Sequence, residues 1–125
     1  MANILILLLI VFLTATGHLL MKMGMNEVGV VDAARLKDPV RLGLDVISTR
    51  PIIFGILVYS FSVLVWLLVL SRVKLGWAYP VLALLYVVLP LASSIFLAER
   101  ITPLHYAGMF LIVVGVGIVA KAGLA

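Results

Sequence analysis

The chain has no cysteine, so neither a disulfide framework nor a thiolate metal site is available to it, and cysteine usage gives no sign of its redox compartment. Charge is scarce as well: 11% of its 125 residues are Asp, Glu, Lys or Arg, against roughly a quarter in ordinary soluble domains. The five acids are Glu27, Asp32, Asp38, Asp45 and Glu99, and every one stands outside the long apolar runs. A proton-coupled pump built on a mid-membrane carboxylate therefore lacks its titrating group. A membrane glycosyltransferase or prenyltransferase that holds a divalent metal through clustered carboxylates is equally unsupported, because the nearest acids, Glu27 and Asp32, are well separated within a loop. The ten glycines form no G-x-x-x-x-G-K-[ST] string, which removes nucleotide hydrolysis by that route.

What the chain does have is apolar residues, 66% of the total. They fall in four stretches, Asn3 to Gly24, Ile52 to Ser71, Trp77 to Leu97 and Leu104 to Ala120. Each reaches or approaches the roughly 17 to 25 residues that carry a helix across a bilayer. The fold expected is all-α, a single four-helix transmembrane domain over residues 1–125, with spans at about 3–24, 52–71, 77–97 and 104–120. The first span begins Met1-Ala2-Asn3 without a basic residue and runs longer than a signal-peptide core, so it is expected to remain in the mature protein.

The one substantial break in hydrophobicity is Met25 to Pro51, which holds four of the acids with Arg35, Lys37, Arg41 and Arg50. Within it Asp38-Pro39 reads as an N-cap followed by a first-turn proline, and Val40, Leu44 and Ile47 recur on one helical face. That pattern predicts a short amphipathic helix at the membrane interface. Pro51 and Thr102-Pro103 read as helix starts, whereas Pro80 and Pro90 stand inside the third span and favour bending there. Because successive spans alternate in direction, Lys22, Arg35, Lys37, Arg41, Arg50 and Arg100 share one side, and Arg72, Lys74 and Lys121 the other. The positive-inside rule places the first group in the cytoplasm, and the bias is modest enough to allow insertion in both orientations. With most of the chain in the membrane, its net charge of +4 marks topology or anionic lipid, and no nucleic-acid partner is expected.

In the first span Thr14, His18 and Lys22 follow one another at i+4 and form a polar stripe on one helix face. Such a stripe faces protein or water, although Lys22 near the span's end equally suits an interfacial anchor and His18 an interhelical hydrogen bond. His105 is on another span, so no metal site is expected. Tyr79, Tyr86, Ser93 and Ser94 distribute polar atoms along the third span, as a cavity lining or as ordinary interhelical bonds. Glu99 lies on the same side as the lysine end of the stripe and stands to pair with Lys22 or a loop base, or else is a solvated turn carboxylate; Arg100 follows it. In the fourth span Gly108 and Gly115 are a heptad apart with Ile112 between them, a surface suited to close helix contact and hence to a dimer interface.

Together Gly17, Leu20-Met21-Lys22, Gly76-Trp77-Ala78-Tyr79, Gly108-Met109, Leu111-Ile112 and Gly115-Val116 resemble the small multidrug resistance fold. The resemblance is closer to one EamA-like branch of the drug/metabolite transporter superfamily, the flippase subunits for aminoarabinose-phospho-undecaprenol. It rests on Trp66-Leu67-Leu68-Val69-Leu70, Ala78-Tyr79-Pro80 and the Glu99-to-Pro103 turn. Thr14 occupies the place of the multidrug exporters' membrane glutamate, and Leu82 that of their third-helix tryptophan.

The resemblance implies a non-enzymatic bacterial inner-membrane transporter without cofactor or metal, working as a homodimer or as a heterodimer with a similar subunit. Its partners would be membrane lipid and a polyprenyl-phosphate-linked sugar. Lys22 would hold the phosphate, His18 and Thr14 would meet the headgroup, and Tyr79, Glu99 and Arg100 would complete the substrate-binding set. The alternatives are an exporter of small metabolites or cations on the same fold, and a non-transporting subunit that stabilises a partner.

Overall fold

The computed structural model describes residues 2–123, which form seven helices and, among the described residues, no strand. The chain is an all-α membrane protein with four helical segments long and apolar enough to cross a bilayer: α1 (Ala2–Val28), α4 (Arg50–Leu70), the pair α5 (Leu75–Leu82) and α6 (Leu85–Phe96), and α7 (Pro103–Gly123). Two short helices, α2 (Ala33–Leu36) and α3 (Pro39–Ser48), occupy the long first loop.

Helix α1 outlasts its apolar run, since Met25, Asn26 and Glu27 continue the turn until Gly29 takes φ +89°, a left-handed conformation open to glycine. The Gly29 N–H returns to the Met25 carbonyl at 2.9 Å, and the Arg35 guanidinium donates to the Val28 carbonyl at 2.7 Å, so the helix end is satisfied from the loop. Asp32 caps α2 by accepting from the Arg35 N–H at 2.9 Å, a turn that hydrophobic periodicity does not reveal. Asp38 caps α3 by accepting from the Arg41 N–H at 3.2 Å, with Pro39 in the first turn. The apolar face of α3 is left largely uncovered by the described residues: Val40, Leu44 and Ile47 are 72%, 61% and 65% exposed, as a helix lying in a membrane interface requires. At α7 the Thr102 hydroxyl accepts from the His105 N–H at 3.2 Å, just ahead of Pro103.

The third span is interrupted between its prolines. Ala83 and Leu84 donate to Pro80 and Val81, three residues back, at 3.0 and 3.1 Å, and the chain resumes as α6. Pro90 sits inside α6 without ending it.

Helix α1 is the centre of the bundle. On one side it lies against α4 along nearly its whole length, with Gly17 against Gly55 and Gly24 against Ile52. A Cβ added at Gly55 would stand 2.8 Å from the Gly17 carbonyl oxygen, so the two backbones approach as closely as they do only because neither residue has a side chain. On its other side α1 meets α5 and α6, and α7 packs on the far side of these two. The hydrophobic core of Leu7, Ile10, Val69, Ala78 and Val81 lies at the end remote from the first loop. There the Trp77 indole donates to the Ala120 carbonyl at 3.2 Å and ties α5 to the end of α7.

Candidate functional site

Beyond this close-packed end, α1, α4 and the α5–α6 pair separate around a cleft of about 810 Å³. Its floor is a hydroxyl chain between helices. The Thr14 hydroxyl donates to Ser62 Oγ at 3.2 Å, and the Ser62 hydroxyl donates to the Tyr59 carbonyl at 2.6 Å; both side chains are buried and both are satisfied. Thr14 therefore bonds across to α4 and not to its own backbone.

Above this floor the walls combine aromatic rings with aliphatic side chains, among them Val63, Leu82 and Leu89. The ring of His18 meets Tyr59 edge-on with centroids 5.3 Å apart, and Trp66 meets Tyr79 in the same manner at 6.0 Å. Tyr86 continues the lining from α6, and the interruption at Ala83 forms part of the wall opposite α1. Tyr79 and Tyr86 are 64% and 69% exposed, so the cleft opens at the side of the bundle. Among the described residues no Asp, Glu, Lys or Arg lines it.

The candidate residues divide accordingly. Thr14, His18 and Tyr79 come together on the cleft. Lys22 lies outside it, exposed, one turn beyond His18 on the same face of α1. Glu99 and Arg100 are exposed in the turn after α6, away from the cleft. Gly108 and Ile112 line a separate apolar groove of about 410 Å³ between α6 and α7, and open space surrounds Gly108 and Gly115. Among the described residues no group of His, Cys, Asp or Glu converges as a metal site would require.

Tyr59, Ser62 and Trp66 had no assigned role in the sequence reading, yet they form the α4 wall. Their signal was present in the chain: they stand at i, i+3 and i+7, a second polar and aromatic stripe that mirrors Thr14 and His18.

Comparison with known proteins bears on this arrangement. A protein of Pseudomonas aeruginosa (strain LESB58) named a probable 4-amino-4-deoxy-L-arabinose-phosphoundecaprenol flippase subunit ArnE is 40% identical over 68 residues, which are 54% of this chain and 59% of that relative. A protein of the same name from Pseudomonas savastanoi pv. phaseolicola is 44% identical over 57 residues, 46% of this chain and 50% of the relative. In these matches the chain spans between half and three-fifths of the relatives' length. One from Yersinia pseudotuberculosis serotype O:1b is 28% identical over 116 residues, 93% of this chain and 94% of the relative. No protein-family model matches the chain, and no solved structure matches it. The similarity to the aminoarabinose flippase subunits seen in the sequence motifs is upheld by these relatives.

Proposed function

We propose that the chain is a transporter subunit, not an enzyme, that moves a polyprenyl-phosphate-linked sugar or a related anionic lipid between the leaflets of the bacterial inner membrane. The observation that carries this reading is the side-opening cleft holding Thr14, His18 and Tyr79, in a chain similar over 93% of its length to a protein named a probable flippase subunit. A cleft open at the side admits a headgroup while the lipid tail stays in the bilayer. Lys22, exposed one helical turn beyond His18, supplies an ammonium that meets phosphate with charge-assisted hydrogen bonds, and Glu99 and Arg100 follow α6 at the same end of the bundle. The open face of α7 around Gly108, Ile112 and Gly115 is the surface for a second subunit, either a copy of this chain or a similar one.

The test is lipid flipping in proteoliposomes by protein of verified amount and assembly. Lys22→Met keeps much of the apolar stem and removes the charge, and it is expected to abolish flipping, whereas Lys22→Arg keeps the charge and part of the activity. Normal flipping by Lys22→Met defeats the assignment of the phosphate to Lys22, and no flipping by the wild-type chain, alone or with its co-purified subunit, defeats the transport reading.

A further inference from the structure

The cleft and the lysine differ in what they can accept, and the difference divides the headgroup. Around the cleft stand His18, Tyr59, Trp66, Tyr79 and Tyr86 over the Thr14–Ser62 floor, interleaved with aliphatic side chains such as Val63, Leu82 and Leu85, and without a lysine or arginine among the described residues. Aromatic faces carry the negative end of a quadrupole: they repel an anion and attract a cation. An anionic phosphate drawn into this space would give up hydration and find neither a lysine nor an arginine to replace it. A pyranose ring has the opposite fit. Its C–H faces stack on aromatic rings, its hydroxyls meet the imidazole and the phenols, and an amino substituent is held by ring faces where no carboxylate is needed. The cleft of about 810 Å³ falls within the roughly 300–1,000 Å³ usual for small-ligand sites. Lys22, four residues beyond His18, lies about 6 Å farther along α1, a distance suited to a phosphate joined through the anomeric oxygen of a ring in the cleft.

Resting on the flippase reading, we infer that the cleft is a pyranose-binding site that takes the sugar ring, with its ammonium group where it carries one, and leaves the phosphate at the rim beside Lys22. The site would then discriminate glycosylated from bare lipid carrier, a selectivity that a phosphate contact alone does not provide.

The chain contains two tryptophans, and Trp66 stands on the cleft while Trp77 does not. In a Trp77→Phe background of verified helix content, Trp66 emission reports the site. In phosphatidylcholine nanodiscs, methyl 4-amino-4-deoxy-arabinopyranoside is expected to shift that emission saturably, whereas undecaprenyl phosphate and inorganic phosphate leave it unchanged. Tyr79→Leu should weaken the glycoside about tenfold, in line with the loss of one aromatic contact, and Tyr79→Phe, which retains the ring, should restore most of it.

An emission shift as large with undecaprenyl phosphate as with the glycoside overturns the inference. So does the absence of any glycoside effect, or equal affinity for the glycoside in Tyr79→Leu and wild type. Glycoside binding by a protein that does not flip lipid leaves the sugar site standing and removes the transport reading. Flipping without glycoside binding does the reverse.

Discussion

Helices α4 and α7 are both 21-residue apolar helices with glycines, and the bundle uses them in opposite ways. Helix α4 buries Gly55 against the Gly17 backbone and sends Ser62 to Thr14, so that α1 and α4 form one seam. Helix α7 buries only Met109 and Val116, touches α5 and α6, and leaves Gly108, Gly115 and Gly117 in open space. Glycine thus serves close packing at Gly55, and at Gly123 against Trp77 at the end of α7, but borders an uncovered surface at Gly108, Gly115 and Gly117. Within a bilayer, where lipid and side chain are equally apolar, the tightness of a seam depends on shape and on hydrogen bonds between helices. The α1–α4 seam has both, while α7 presents a smooth face that this chain does not cover.

The largest effect expected from this contrast is at Gly55. Gly55→Leu drives a side chain into the Gly17 carbonyl and should cost about 3 kcal/mol, the upper part of the usual range for overpacking, read as loss of folded, monodisperse protein in detergent. Unchanged stability would show that the seam can slide. Next is Ser62→Ala, which leaves the buried Thr14 hydroxyl without its acceptor on α4; the expected loss is about 1–3 kcal/mol by reversible unfolding.

Thr14→Val should cost less, about 1 kcal/mol or below, because the Ser62 hydroxyl still donates to the Tyr59 carbonyl. Equal losses at the two positions would mean that the hydroxyl chain does not work in the sense described. Smallest on stability is the pair Gly108→Leu with Gly115→Leu, which meets no neighbour and raises helix propensity, so the subunit should be no less stable. Its effect belongs to association: crosslinking in membranes should yield less dimer, and an undiminished yield removes α7 as the interface.

The architecture was legible because its signals are local. Four apolar runs of membrane length, Asp38-Pro39 and Thr102-Pro103 at helix starts, and the apolar face of α3 each depend on a few neighbouring residues, and the structure shows four long apolar helices, both caps and the exposed face. The site was legible in part. Thr14, His18 and Tyr79 do meet, whereas the reading of one continuous stripe did not reveal that the cleft ends before Lys22. The α4 wall went unread because Ser62 and Trp66 look like any mid-span serine and tryptophan until Thr14 and Tyr79 stand opposite them. The seam at Gly17 and Gly24 is not legible from spacing: they are a heptad apart as Gly108 and Gly115 are, and spacing alone carries no information about which face another helix of the same chain approaches.

By itself, then, the sequence determined that this is a membrane protein of four spans, where α3 and α7 begin, and which residues share a face of each helix, because apolar length, capping chemistry and the 3.6-residue period act within a single segment. Only the tertiary structure decided which face meets which. It packed Gly17 on Gly55, opened the third span at Ala83, joined Thr14 to Ser62, and set the cleft, which has no lysine or arginine in its lining among the described residues, apart from the exposed Lys22 one turn beyond His18. Those choices depend on the fit of backbones and hydroxyls between segments distant in the chain, and among apolar helices in an apolar solvent hydrophobicity does not distinguish one pairing from another.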